Sequence, residues 1–161
     1  MFSKKAVLIQ KIVASLDAEL ALLAQSARAA HEEATHEQSR AENKYDTRGL
    51  EASYLARGQS RQAAETLAAR EEFAALKARG FGPEEAIDLG AVVELESQGG
   101  QALYFIGPRA GGTEIVHQKR TVVVMTPQSP LGSQLVGRKQ GERILIEIGR
   151  TRAAYRVARV W

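Results

Sequence analysis

The side chains best suited to chemistry in this sequence are carboxylates in the middle of its first half. Between Glu32 and Glu51 stand six acids (Glu32, Glu33, Glu37, Glu42, Asp46, Glu51) and three bases (Arg40, Lys44, Arg48), a local charge of −3 in a chain whose formal net charge is +3. Carboxylates surrounded by water suit a hard cation such as Mg2+, which takes one or two carboxylates, keeps several waters and completes its shell with phosphate oxygens. A cation held in that way activates water and stabilises a leaving oxygen in phosphoryl chemistry. Two or three acids hold Mg2+ poorly alone, so they would act by completing a site that another molecule supplies.

No second constellation competes. The chain has no cysteine, hence no disulfide, thiolate nucleophile or Cys-based zinc site, and only three histidines. His31 and His36 are five residues apart, which puts them ~140° apart around a helix and unable to share a metal. His117 precedes an apolar run and reads as structural or exposed. The phosphate-binding, dinucleotide-binding and nucleophile-elbow glycine patterns are all missing. Charges are interleaved: residues 1–79 carry 12 basic and 11 acidic groups, residues 80–161 carry 10 and 8. That is not the basic stripe of a nucleic-acid binder. No apolar run approaches the ~18 residues of a membrane span, and Gln10 and Lys11 interrupt the apolar stretch near the start, so the expectation is a cytoplasmic protein without a membrane anchor.

The elements that must position the acids follow from where helix breakers fall. Residues 1–79 hold Gly49, Gly58 and no proline, whereas the remaining residues hold 12 glycines and all four prolines. This predicts two domains, 1–79 and 80–161, divided at Arg79-Gly80-Phe81-Gly82-Pro83. In the first, Ile9, Val13, Leu16, Leu20, Leu23, Ala27, Ala30 and Ala34 repeat at alternating steps of four and three, the seam of a coiled coil. A second helical stretch over 50–79 carries Ala52, Leu55, Ala63, Thr66, Ala69, Phe73 and Leu76 near one face. One seam runs from large to small and the other from small to large, so the two match only antiparallel, with the bend near Lys44 to Gly49. An arm of about 36 residues would be ~54 Å long, more than a small core needs. Such a hairpin is a dimerisation arm, half of a four-helix bundle, or a probe that carries its acidic bend into a narrow place.

The second domain reads as a mostly antiparallel sheet with one short helix, which makes the chain α+β. Strands are expected at Ala91–Ser97, 101–106, Thr121–Met125, Glu142–Ile148 and Ala153–Val160, with a hairpin signal at Gln98-Gly99-Gly100. Ser129 and Pro130 open the helix as N-cap and first residue, and Gly137 closes it.

Two stretches carry a family resemblance. The first is Val-Val-Val-Met-Thr-Pro-Gln-Ser-Pro-Leu-Gly-Ser-Gln-Leu-Val-Gly-Arg-Lys-Gln-Gly-Glu over 122–142, and the second is Gln-Ala-Leu-Tyr-Phe-Ile-Gly over 101–107, after the strand Ala91–Ser97. The chain resembles the bacterial GreA/GreB transcript-cleavage elongation factors over nearly its whole length. The longer stretch is similar to their S-P-[IL]-[GA]-x-x-[LI]-[LIV]-G-[KR]-x-x-G-[DE] segment, and residues 107–119 depart most from the family pattern. The resemblance implies an FKBP-like second domain that is not an isomerase and docks on RNA polymerase at the rim of its secondary channel, with Ser129, Pro130, Leu131 and Gly132 as docking residues. It implies that the coiled coil enters the channel and brings acids to the Mg2+ of RNA polymerase, Asp46 first and then Glu42 and Glu51, with Asp46 and Glu51 facing the metal only jointly with the polymerase. At the bend, Glu42-Asn43-Lys44-Tyr45-Asp46 or Glu51-Ala52-Ser53-Tyr54 resembles the second half of the family's Asp-x-x-Glu-Asn-x-Glu-Tyr motif, while Ser39 and Arg48 stand where its leading Asp would be. The expected function is a transcription elongation regulator that stimulates cleavage of backtracked RNA. The alternatives are a channel-binding modulator or inhibitor without cleavage, and an FKBP-like peptide-binding or coiled-coil adaptor module. The protein would not itself be an enzyme and would need no cofactor of its own. It would approach the nascent RNA 3′ end only indirectly, bind no specific DNA sequence, and be a monomer.

Overall fold

A computed structural model of the chain describes the backbone of residues 5–35 and 48–161, and the side chains of 5–26, 28–29, 32 and 58–161. Two long helices come first, α1 (Lys5–Thr35) and α2 (Arg48–Ala75). They form where alanine, leucine and long polar side chains dominate and proline is missing. Six strands and a short helix follow: β1 (Val92–Ser97), β2 (Gly100–Ile106), β3 (Glu114–His117), β4 (Arg120–Met125), α3 (Pro130–Leu135), β5 (Arg143–Ile148) and β6 (Thr151–Val160). The chain separates into two compact units, Ala14–Glu71 and Met1–Val13 with Glu72–Trp161, so each long helix contributes to both.

Within Ala14–Glu71 the legs are antiparallel. Thr66 Oγ1 donates to Glu19 Oε1 at 3.2 Å and Arg70 Nε to Asp17 Oδ1 at 3.0 Å, so partners fall along α1 as they rise along α2. Leu16, Thr66 and Ala69 are buried, and Leu20, Leu23 and Ala63 are half-buried, as the seam predicts. The seam positions Ala27, Ala30, Ala34, Ala52 and Leu55 lie outside the described side chains.

The other unit is built on one sheet in the order β3-β4-β2-β1-β6-β5. All pairings are antiparallel except β2 with β4, which is parallel, matching the mostly antiparallel expectation. One face carries Val93, Leu95, Ile106, Met125, Ile144, Ile146 and Val157, packed with Phe81, Ile87 and Leu135 of α3. The other face carries Val92, Leu103, Phe105, Val122 and Val124, all no more than 2% exposed. Its cover comes from the bases of the long helices. The Phe73 ring stands 6.0 Å from the Phe105 ring, Lys11 Nζ donates to the Val116 carbonyl at 3.0 Å, and Leu8, Ile9 and Ile12 are buried. Leu8 and Ile12 lie off the narrow heptad seam. They are buried because α1 meets a sheet here as well as a helix, and a helix with two neighbours needs a broader apolar face.

Lys5 closes this unit. Its Nζ donates to the Arg79 carbonyl at 2.5 Å and to the Trp161 main-chain oxygen at 2.6 Å. It also lies 4.8 Å from the centroid of the Phe81 ring, and the Arg79 guanidinium lies 3.8 Å from the same ring. Burial, and then the neighbouring Arg79 charge, hold the Lys5 amine down to about 8.

β3 lies where the sequence pattern places no strand, and His117, expected to be structural or exposed, is 3% exposed within it. The β3–β4 turn is Gln118-Lys119 with φ of 51° and 63°. That is the backbone of a tight primed hairpin turn, without the Asn-Gly or Gly-Gly that marks one in a sequence.

Candidate functional site

Two places could carry function. The first is the segment between the legs. In sequence, Glu42 and Asp46 fall between Thr35, where α1 ends, and Arg48, where α2 begins. Glu42 and Asp46 lie outside the described residues, as does the side chain of Glu51, whose backbone belongs to α2. Among the described residues no group of three or more His, Cys, Asp or Glu side chains could hold a metal ion. Glu32, at the start of the acidic run, is exposed. No described helix is long and apolar enough to cross a membrane.

The second place is the start of α3, where Ser129, Pro130, Leu131 and Gly132 come together as one turn. Ser129 is the N-cap in extended backbone, and its Oγ accepts from Gly132 N at 3.0 Å and donates to the Thr126 carbonyl at 2.8 Å. Pro130 follows at the first helical turn, where its missing N–H costs nothing. Gly132 is buried, and a Cβ there would lie 1.9 Å from the Thr126 carbonyl oxygen, so only glycine fits. Gln134 fastens the helix to the outer edge of β5: its Nε2 donates to the Glu147 carbonyl at 2.9 Å and its Oε1 accepts from Glu147 N at 3.0 Å.

The four expected docking residues therefore divide. The Ser129 hydroxyl and the Gly132 position are used by the turn itself, while Pro130 is exposed and Leu131 is half-buried against the core. The turn is a rigid apolar corner, not a set of polar hooks. Sequence reasoning missed Gln134, Lys5 and Arg120. The last pairs with Glu94 at 2.6 Å. Each links elements distant in the chain, and no local spacing signals such a link.

No family model matches the chain, and no curated protein matches it. Several solved structures are similar to it. GreA factor homolog 1 (Gfh1) of Thermus thermophilus aligns over 92% of this chain and 94% of its own, at 19% identity and a TM-score of 0.38. Gfh1 of Thermus aquaticus aligns over 91% of each chain, at 20% identity and a TM-score of 0.40. The prokaryotic transcription elongation factor GreA/GreB from Nitrosomonas europaea aligns over 69% of this chain and 91% of its own, at 15% identity and a TM-score of 0.33. At these scores the likeness adds nothing to what the chain's own residues carry.

Proposed function

We propose that the protein is an accessory factor of bacterial RNA polymerase that binds at the secondary channel. Asp46 and Glu42, between its two long helices, and Glu51, early in the second, approach the polymerase's Mg2+ and stimulate hydrolysis of backtracked RNA. The observation that carries this reading is the segment 129–142. It resembles the GreA/GreB pattern position by position, and its conspicuous residues fold into one braced corner: Ser129 as cap, Pro130 on the outside, Gly132 against Thr126. The long antiparallel legs support it further, since a 31-residue and a 28-residue helix exceed what the sheet needs for cover. The chemistry belongs to the polymerase. This chain lends carboxylates, Asp46 first and then Glu42 and Glu51, which complete a Mg2+ shell and orient water.

The departures at Ser39 and Arg48 favour one second reading, a channel-binding modulator that does not stimulate cleavage. One experiment separates the two. A stalled, backtracked elongation complex is incubated with Mg2+ and the full chain, and short 3′ RNA fragments are counted. Fragment release that Asp46→Asn abolishes, with polymerase binding intact, is the expected result. Binding without release establishes the modulator, and no binding to core polymerase refutes both.

A further inference from the structure

We infer that the outer face of the β5–β6 hairpin docks an acidic, amphipathic segment of a protein partner; for the partner's identity this rests on the polymerase reading above. Residues 143–159 hold five arginines, Arg143, Arg150, Arg152, Arg156 and Arg159, against the single acid Glu147. The register sets Arg143 directly opposite Arg156, and like charges in that position repel across a strand pair. Internal acids answer only part of this charge. Arg156 pairs with Glu96 at 3.0 Å and Arg152 with Glu147 at 2.7 Å, whereas Arg143, Arg150 and Arg159 have no ion pair among the described residues.

The same face displays an apolar centre. Ile144 and Ile146 point into the core, and Leu145 between them is 56% exposed, with Ala154 as its cross-strand neighbour. A shallow hollow of about 420 Å3 opens beside it and includes Arg143, Ala154 and Arg156 in its lining. Basic flanks around an exposed leucine match a helix that presents carboxylates on either side of an apolar residue. Arginine suits that role because its planar fork meets a carboxylate with two hydrogen bonds. Nucleic acid fits less well. Single-strand sites stack successive bases on several aromatic rings, and the hollow has one, Tyr155, half-buried against the core.

The test is a titration of labelled full-length protein with core RNA polymerase, comparing the wild type with Arg143→Glu, Leu145→Ser and the exposed control Lys77→Glu. Thermal melts check that each variant is folded. Arg143→Glu should weaken binding about tenfold, and more steeply at low salt, as expected for a charge at an interface. Leu145→Ser should weaken it severalfold, and Lys77→Glu should leave it within about twofold. Wild-type binding that neither Arg143→Glu nor Leu145→Ser changes overturns the inference and leaves the polymerase reading standing. Wild type that does not bind polymerase overturns both. Two further results overturn the surface assignment: a single-stranded RNA that binds through Arg143 more tightly than polymerase does, or an Arg143-dependent dimer in sedimentation.

Discussion

Replacing Gly132 by alanine should destabilise the protein by about 2 kcal/mol, although alanine is the better helix former by ~1 kcal/mol. The added Cβ would sit 1.9 Å from the Thr126 carbonyl oxygen and 2.8 Å from Ser129 Oγ. Its nearest obstacle is main chain, so no side chain can swing aside to make room. Thr126 O is also the acceptor for Ser129 N at 3.1 Å and Ser129 Oγ at 2.8 Å. Moving it strains these two bonds together with the cap bond from Gly132 N to Ser129 Oγ. Overpacking of this kind costs ~1–3 kcal/mol and a lost cap ~1 kcal/mol more, against which the propensity gain is set. For a chain of this length that corresponds to a fall in Tm of roughly 4–8 °C. Thermal unfolding of the full chain, followed by circular dichroism and by the fluorescence of Trp161, measures it. A Tm within about 2 °C of wild type would refute the reasoning, because the turn would then have a freedom that the geometry denies it.

Two further perturbations test the packing. Phe73→Ala removes the ring that lies on Phe105 and against Gly107, and should cost ~3–5 kcal/mol in urea denaturation; a loss below about 1 kcal/mol would mean that α2 does not cover the sheet. Lys5 supplies a pH dependence. Its amine titrates at about 8 in the folded chain against an ordinary 10.5, so between those values the unfolded chain binds more protons and stability rises with pH. The gain is complete above 10.5 and lost as pH falls through 8; after allowance for solvent screening it amounts to about 1–2 kcal/mol. Tyr104, raised by burial and then by Tyr155, acts oppositely above pH 10, so the slope is best read between pH 8 and 10. Lys5→Met should flatten it, and parallel profiles for the two proteins would count against the Lys5 assignment.

Much of the architecture was legible because it is written in local patterns. The steps of four and three from Ile9 to Leu23 marked a helix seam, Ser129-Pro130 marked a helix start, and Gln98-Gly99-Gly100 marked the turn between β1 and β2. β3 was not legible: Glu114–His117 is only four residues, and its turn uses Gln118 and Lys119 where glycine would have announced it. The candidate acids were visible as a run of charge, but a run cannot say which carboxylates converge.

Composition and spacing alone determined that this is a cysteine-free α+β chain with a long helical pair, an acidic stretch between the helices and a glycine-punctuated sheet. Such features depend on neighbours within a turn or two, and the sequence states those neighbours directly. Tertiary structure decided the rest. It put Lys5 against Arg79 and Trp161, Phe73 against Phe105, Arg143 opposite Arg156, and Gly132 against the Thr126 carbonyl. Those outcomes depend on which distant segments come to share a surface, and that is set by the burial of both faces of the sheet.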